Sequence, residues 1–220
     1  MARTLTAILA ISLLAASGLA NALSSTQRIR GDVLALDGAN LRIKSLEGEE
    51  LTVKLTDDAR LVAVSKARAA DIKTGSFVGA TAVAQPDGTL KASEVHIFPE
   101  SMRGTGEGHR PMDSLPGSTM TNATVSHVSE ARRPSANTMT NATVAKVATA
   151  NEARKLTLQY KGGEQTVAVG ADTPVVFIEP GDRSLLVAGA HIVVNATRQA
   201  DNSLAANRVT VGKNGTVPPM

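Results

Sequence analysis

The side chains best able to do chemistry in this sequence are four histidines, His96, His109, His127 and His191, and one dense polar stretch from Glu100 to Pro111. The histidines form no H-x-H or H-x-x-x-H pair, so any metal site must be assembled from distant segments. Within the polar stretch, Glu107 and His109, with Asp113 just beyond, offer oxygen and imidazole ligands to a divalent cation. Gly104, Gly106 and Gly108 would let backbone N–H groups approach an anion, with Arg103 and Arg110 supplying positive charge. The glycine spacing is not the G-x-x-x-x-G-K-[ST] of a nucleotide loop. The same composition also describes a flexible connector.

Nucleophilic catalysis has little to draw on. The chain has no cysteine, which removes disulfides, thiolate ligands and thiol nucleophiles together. It has neither a G-x-S-x-G elbow nor an H-E-x-x-H motif. A non-catalytic protein is therefore expected. Two further rings are candidates for binding: Phe77 and His191 occupy equivalent places on the non-core face of two related strands. His96 alternates out of phase with Val95 and Ile97, alongside Glu94, and reads as part of a solvated strand face.

The elements that must carry these residues come in two copies. Thr52-Val53 matches Thr166-Val167, Gly75 matches Gly189, Leu90 matches Leu204 and Val95 matches Val209, all at a spacing of 114. Inside each copy the apolar residues alternate, as half-buried strands require. Leu41 and Ile43 form one such set; Leu51, Val53 and Leu55 form another. Arg60 to Val64 reads as a short strand, Ser65 to Ile72 as a helical turn, and Ser76 to Phe98 as a hairpin about Pro86-Asp87-Gly88. Five strands with one short helical segment predict an all-β fold: two tandem small barrels of OB type, at 27–98 and 141–212.

Residues 99–140 differ in composition, being rich in Pro, Gly, Ser, Thr and Arg, and read as a linker. The linker contains a tandem echo: Thr119-Met120-Thr121-Asn122-Ala123-Thr124-Val125 recurs 19 residues later as Thr138-Met139-Thr140-Asn141-Ala142-Thr143-Val144. The second copy leads into the first strand of the second lobe. The first is then a spare segment, which pairs at a sheet edge or, as its polar sequel Ser129 to Asn137 favours, stays disordered. Residues 213–220 read as a disordered tail.

The chain has 220 residues, 42% of them hydrophobic but only 2% aromatic, so its cores must be aliphatic and small. Residues 1–22 read as a cleavable signal peptide: Arg3, an apolar run from Leu5 to Ala16, then Ala20-Asn21-Ala22. The expected location is thus periplasmic or secreted. Without Arg3 the charge is 22 basic against 20 acidic residues, and no basic run exceeds Arg132-Arg133. Nucleic-acid binding, which wants a basic stripe with stacking rings, is excluded on that basis. Nothing after residue 22 is apolar enough for a spanning helix.

The repeated first strand, the Asp71-Ile72-Lys73-Thr74-Gly75 turn, and Asp87-Gly88-Thr89-Leu90 with Ala92 and Val95 resemble exported bacterial domains of unknown function described as OB-like barrels. Met102 to Pro111, Gly117 to Val125, Gly181 to Leu186 and the Pro218-Pro219-Met220 end are similar to a two-lobe proteobacterial subgroup often called metal transporter permeases. This chain departs from it at Met112, where Trp is expected, and in its extra 19 residues. The resemblance implies an envelope protein. The expectation is a binding module using Phe77, His191, Arg103 and Arg110, with an envelope protein, a glycan or a small ligand as partner. The alternative is a metal-associated accessory protein using Glu107, His109 and Asp113, its only cofactor a divalent metal.

Overall fold

The computed structural model describes residues 26–86, 88–112, 117–130 and 154–219, and among them the chain is all-β. The strands are β1 (Thr26–Asp37), β2 (Asn40–Ser45), β3 (Glu50–Ala67), β4 (Phe77–Ala84), β5 (Leu90–Ile97) and β6 (Gly108–Met112). They continue with β7 (Ser118–Glu130), β8 (Arg154–Tyr160), β9 (Gly163–Val169), β10 (Val175–Pro180), β11 (His191–Arg198) and β12 (Leu204–Gly212). The alternation seen in the sequence is what forms them. β2 buries Leu41, Ile43 and Ser45 and exposes Asn40, Arg42 and Lys44; β8 buries Leu156 and Leu158, with Lys155 and Gln159 exposed and Thr157 half-buried. The segment from Arg60 to Ile72 differs from its expected form: β3 runs unbroken to Ala67, and only Ala69–Asp71 turns, as a 3-10 helix.

The strands close two five-membered circuits. In the first, β1 pairs with β2, β2 with β3, β3 with β12, β12 with β11, and β11 with β1. In the second, β7 pairs with β8, β8 with β9, β9 with β5, β5 with β4, and β4 with β7. The closing pair is parallel in both, with Leu204 opposite Val53 and Leu90 opposite Val167. Those two matches are the same match, shifted by 114 residues. The barrels therefore do not follow the division into 27–98 and 141–212. Each repeat lends its last hairpin to the other's barrel: β4–β5 completes the second and β11–β12 the first.

Each circuit encloses its own aliphatic core. Val33, Leu41, Ile43, Val53, Leu55, Ile192, Val194 and Val209 fill the first barrel. Val78, Val95, Val125, Leu156, Leu158, Val167 and Val169 fill the second. Between them, β3 and β10 lie antiparallel, and β10 also runs parallel to β5. A third, smaller cluster of Val64, Val176 and Ile178 sits on this seam.

Two expectations are corrected here. The stretch read as a linker supplies β6 and β7 as far as residue 130; residues 131–140 lie outside the described ones. Thr121 to Val128, expected to be disordered, is the heart of β7, with β4 on one edge and β8 on the other. Thr121, Ala123 and Val125 are fully buried. Their period-two pattern was hidden by small and hydroxyl side chains, which suit a tight barrel wall but score as polar. The strand start assigned to the second copy is thus taken by the first; residues 138–144 lie outside the described residues, as do 1–22. The tail is ordered from 213 to 219: the Lys213 amide donates to the Val64 carbonyl, Lys213 Nζ reaches Glu179 at 2.6 Å, and Pro218 accepts from Arg30.

Candidate binding cleft between the barrels

Where the two barrels meet along β3 and β10 there is a cavity of about 540 Å³, lined by both. Its apolar floor is Val62, Val64 and Ile178, with Phe98 and Met102 beside them. β5 forms one wall. Val95 and Ile97 point into the second barrel, so strand alternation turns Glu94 and His96 the other way. That outer face, expected to be solvated, is covered: Glu94 is 2% exposed and the His96 side chain 17%. The exchanged hairpin puts the first barrel against it, and β7 with β6 closes its edge.

The buried polar groups are tied together. Thr81 Oγ1 donates to Glu94 Oε1 at 2.9 Å and lies 3.4 Å from Met112 Sδ and 3.9 Å from Met120 Sδ. His96 Nε2 stands 3.9 Å from Glu94 Oε1. A carboxyl at that distance favours imidazolium, but loss of water opposes it more strongly. Burial, helped by the Arg208 guanidinium, pushes the His96 pKa down to about 4, so the ring is neutral at pH 7.

Asn122 lies on the β7 wall, its Nδ2 donating to the Thr105 carbonyl at 3.2 Å. Its Oδ1 is buried with no hydrogen-bond partner. It is seated over Gly79, where a Cβ would come within 2.7 Å of that oxygen and 2.9 Å of the Phe98 ring. Glycine is therefore required there. Arg28, Arg110 and Arg208 stand at the exposed rim, Arg110 anchored to the Gly106 carbonyl at 2.8 Å.

Of the binding and metal-ligating candidates singled out in the sequence, Arg110 lines this cleft, as do Gly106 of the glycine-rich stretch and His96, which was read as part of a solvated face. Phe77 is 2% exposed, 5.5 Å from the Phe98 ring, with the Arg103 guanidinium 5.9 Å above its centre. Arg103 also binds Glu100, Thr124 Oγ1 and the Gly75 carbonyl, fastening the glycine-rich segment to β4 and β7. His191 lies in the first barrel, paired with Asp32, and shares no site with Phe77. Glu107 accepts from the Lys161 amide at 2.8 Å. His109 bonds Thr121 Oγ1 at 2.8 Å and stacks on Tyr160. Asp113 lies outside the described residues. Among the described residues no group of three His, Asp or Glu side chains is placed to hold a metal.

The groups that sequence reasoning missed are Thr81, Glu94, Met112 and Met120, together with Arg28 and Arg208. A signal existed for Glu94 and His96, which share one face of β5. Nothing local said that a second barrel would bury it. A second cavity of about 670 Å³ is lined by Lys66 to Ala70, Ala171 to Val176 and Gly215 to Val217, with Arg154. Its lining joins the end of β3 and the start of β10 to loop residues, with Lys66, Arg68, Arg154 and Asp172 as its charged side chains.

The fold and cleft define a class: a two-barrel β protein with an open cleft along the seam. In comparison with known proteins, no family model matches the chain, and neither a curated protein nor a solved structure gives a significant match.

Proposed function

We propose that the chain is a non-catalytic binding module of the bacterial cell envelope, periplasmic or secreted, and that the cleft between the barrels is its ligand seat. The observation that carries this reading is a cavity of about 540 Å³ between the barrels that combines an apolar floor with the polar side chains of His96, Asn122 and Asn195. A largely apolar pocket with a few convergent polar groups is the usual form of a ligand seat. The arginine rim favours a ligand bearing negative charge on its outer side. The export-like residues 1–22 and the absence of cysteine support the compartment.

Hydrogen–deuterium exchange of the chain from residue 23 tests the reading, with citrate, inorganic phosphate and Cu(I) as separate probes. Protection of β5, β6 and β7 by at least one probe is expected, and its loss in Asn195→Trp, which plugs the cleft from β11. Protection elsewhere, or from no probe, sinks it. A metal-associated accessory role is the second reading, and the sulfur and imidazole groups of the cleft favour it over the segment at Glu107 and His109.

A further inference from the structure

We propose that Met112, Met120 and His96, with Met102 at the floor, form a binding site for a monovalent soft cation, Cu(I). This rests on reading the cleft as a ligand seat and names what it takes.

The placement of methionine carries the inference. The described residues contain three methionines, Met102, Met112 and Met120, and all three line the cleft. Neither barrel core contains one, although a flexible thioether is the usual filler of irregular cores. Met102 packs against the apolar cluster of the seam, whereas Met112 and Met120 belong to none of the apolar clusters. Two of the sulfurs also meet a polar group, converging on the Thr81 hydroxyl, which is itself bonded to Glu94. His96 lines the same cleft, its Nε2 3.9 Å from the Glu94 Oε1 that the Thr81 hydroxyl also meets.

The donor set selects the ion. Thioether sulfur and imidazole are neutral and soft or borderline, the combination that suits Cu(I); Mg²⁺ and Ca²⁺ want oxygen ligands, and structural Zn²⁺ sites commonly use thiolate. Thioethers also serve where cysteine would be oxidised, in keeping with a chain that has none. A bound ion adds one positive charge beside the Glu94 carboxyl; the three rim arginines, which draw anionic groups to the mouth, oppose a monovalent ion less than a dication.

The test is anaerobic competition for Cu(I) between the chain from residue 23 and the chromophoric chelator bicinchoninate, with X-ray absorption of the loaded protein. One Cu(I) per chain and a sulfur-containing coordination shell are expected. The double substitution Met112→Leu and Met120→Leu keeps volume and apolarity, so the fold should persist by circular dichroism while affinity falls at least tenfold. His96→Gln should weaken binding too. Copper passing wholly to the chelator from the wild type, equal affinity in the Met112/Met120 variant, or tighter binding of Zn²⁺ than of Cu(I) would each overturn the proposal. If citrate or phosphate protects the cleft while Cu(I) does not bind, this inference falls and the binding-module reading stands. If Asn195→Trp binds Cu(I) as the wild type does, the ion lies elsewhere.

Discussion

Val64 and Ile178 occupy the same position in the two repeats and stand opposite each other in the β3–β10 pair. Their neighbours obey the same relation, Ala63 facing Glu179 and Ser65 facing Phe177. A local two-fold axis therefore passes through this pair, and everything either barrel receives from the other repeat is arranged about it. The pair is buried, and it forms the floor of the cleft.

Truncating these two side chains should be costly and coupled. Ile178→Ala is expected to lose about 2–5 kcal/mol and Val64→Ala about 2 kcal/mol, by lost transfer energy and a residual cavity. Because the residues touch, the double variant should miss the sum by about 0.5 kcal/mol or more. Urea denaturation measures all three; strict additivity would show that the two sides of the seam do not pack together.

The hairpin exchange can be read out with engineered cysteines, since the chain has none of its own. Lys54 and Ala205 are partners across the parallel β3–β12 pair. Lys54→Cys with Ala205→Cys should form an intramolecular disulfide on mild oxidation, strand neighbours being within bridging range. Lys91 is the repeat equivalent of Ala205 and would face Lys54 only if each repeat closed on itself. Lys54→Cys with Lys91→Cys should stay reduced and monomeric; a disulfide in that variant alone, on mass spectrometry, would mean that the hairpins are not exchanged.

Burial of His96 makes stability depend on pH with a definite sign. Its pKa in the fold is about 4, against an ordinary 6.5. Between those values the unfolded chain holds a proton that the fold refuses, so unfolding takes up protons and stability rises with pH. The contribution is complete above pH 6.5 and is lost as the pH falls towards 4, to an extent on the order of 3 kcal/mol. Glu94 and Arg208 are the charged or titratable groups bearing on the ring. His96→Gln should flatten this part of the profile in denaturation series from pH 4 to 7; an unchanged slope would show the ring to be hydrated.

Thr81 is a hub and should behave as one. Thr81→Val preserves shape and removes the hydroxyl that donates to Glu94. A loss of about 1–3 kcal/mol is expected from the broken buried hydrogen bond. Thermal melts would check it, and a value near zero would mean that water substitutes freely at this depth.

The individual strands were legible because their information is local. Leu41 and Ile43, or Leu156 and Leu158, alternate with more exposed residues over a few positions, and nothing else can be done with such a pattern. The exchange was not legible for a reason of symmetry. The edge of β3 at Val53 and Lys54 accepts β12 or its homologue β5 with equivalent side chains, so the residues facing inward are equivalent either way. β7 escaped because Thr121, Asn122 and Thr124 are polar by type although the first two are buried in place. The cleft followed from both omissions: with β7 read as linker and the barrels read in tandem, Glu94 and His96 had no wall to face.

The exchange also decides how this protein could be divided. Separating the chain between residues 130 and 154 would leave β1 to β7 on one piece and β8 to β12 on the other. The first barrel would then lack β11 and β12, and the second would lack β8 and β9. Neither piece could close a complete native barrel, yet together they hold every strand of both. The two repeats are thus not modules to be shuffled or lost one at a time; they behave as the halves of a clasp, inherited and degraded as one object.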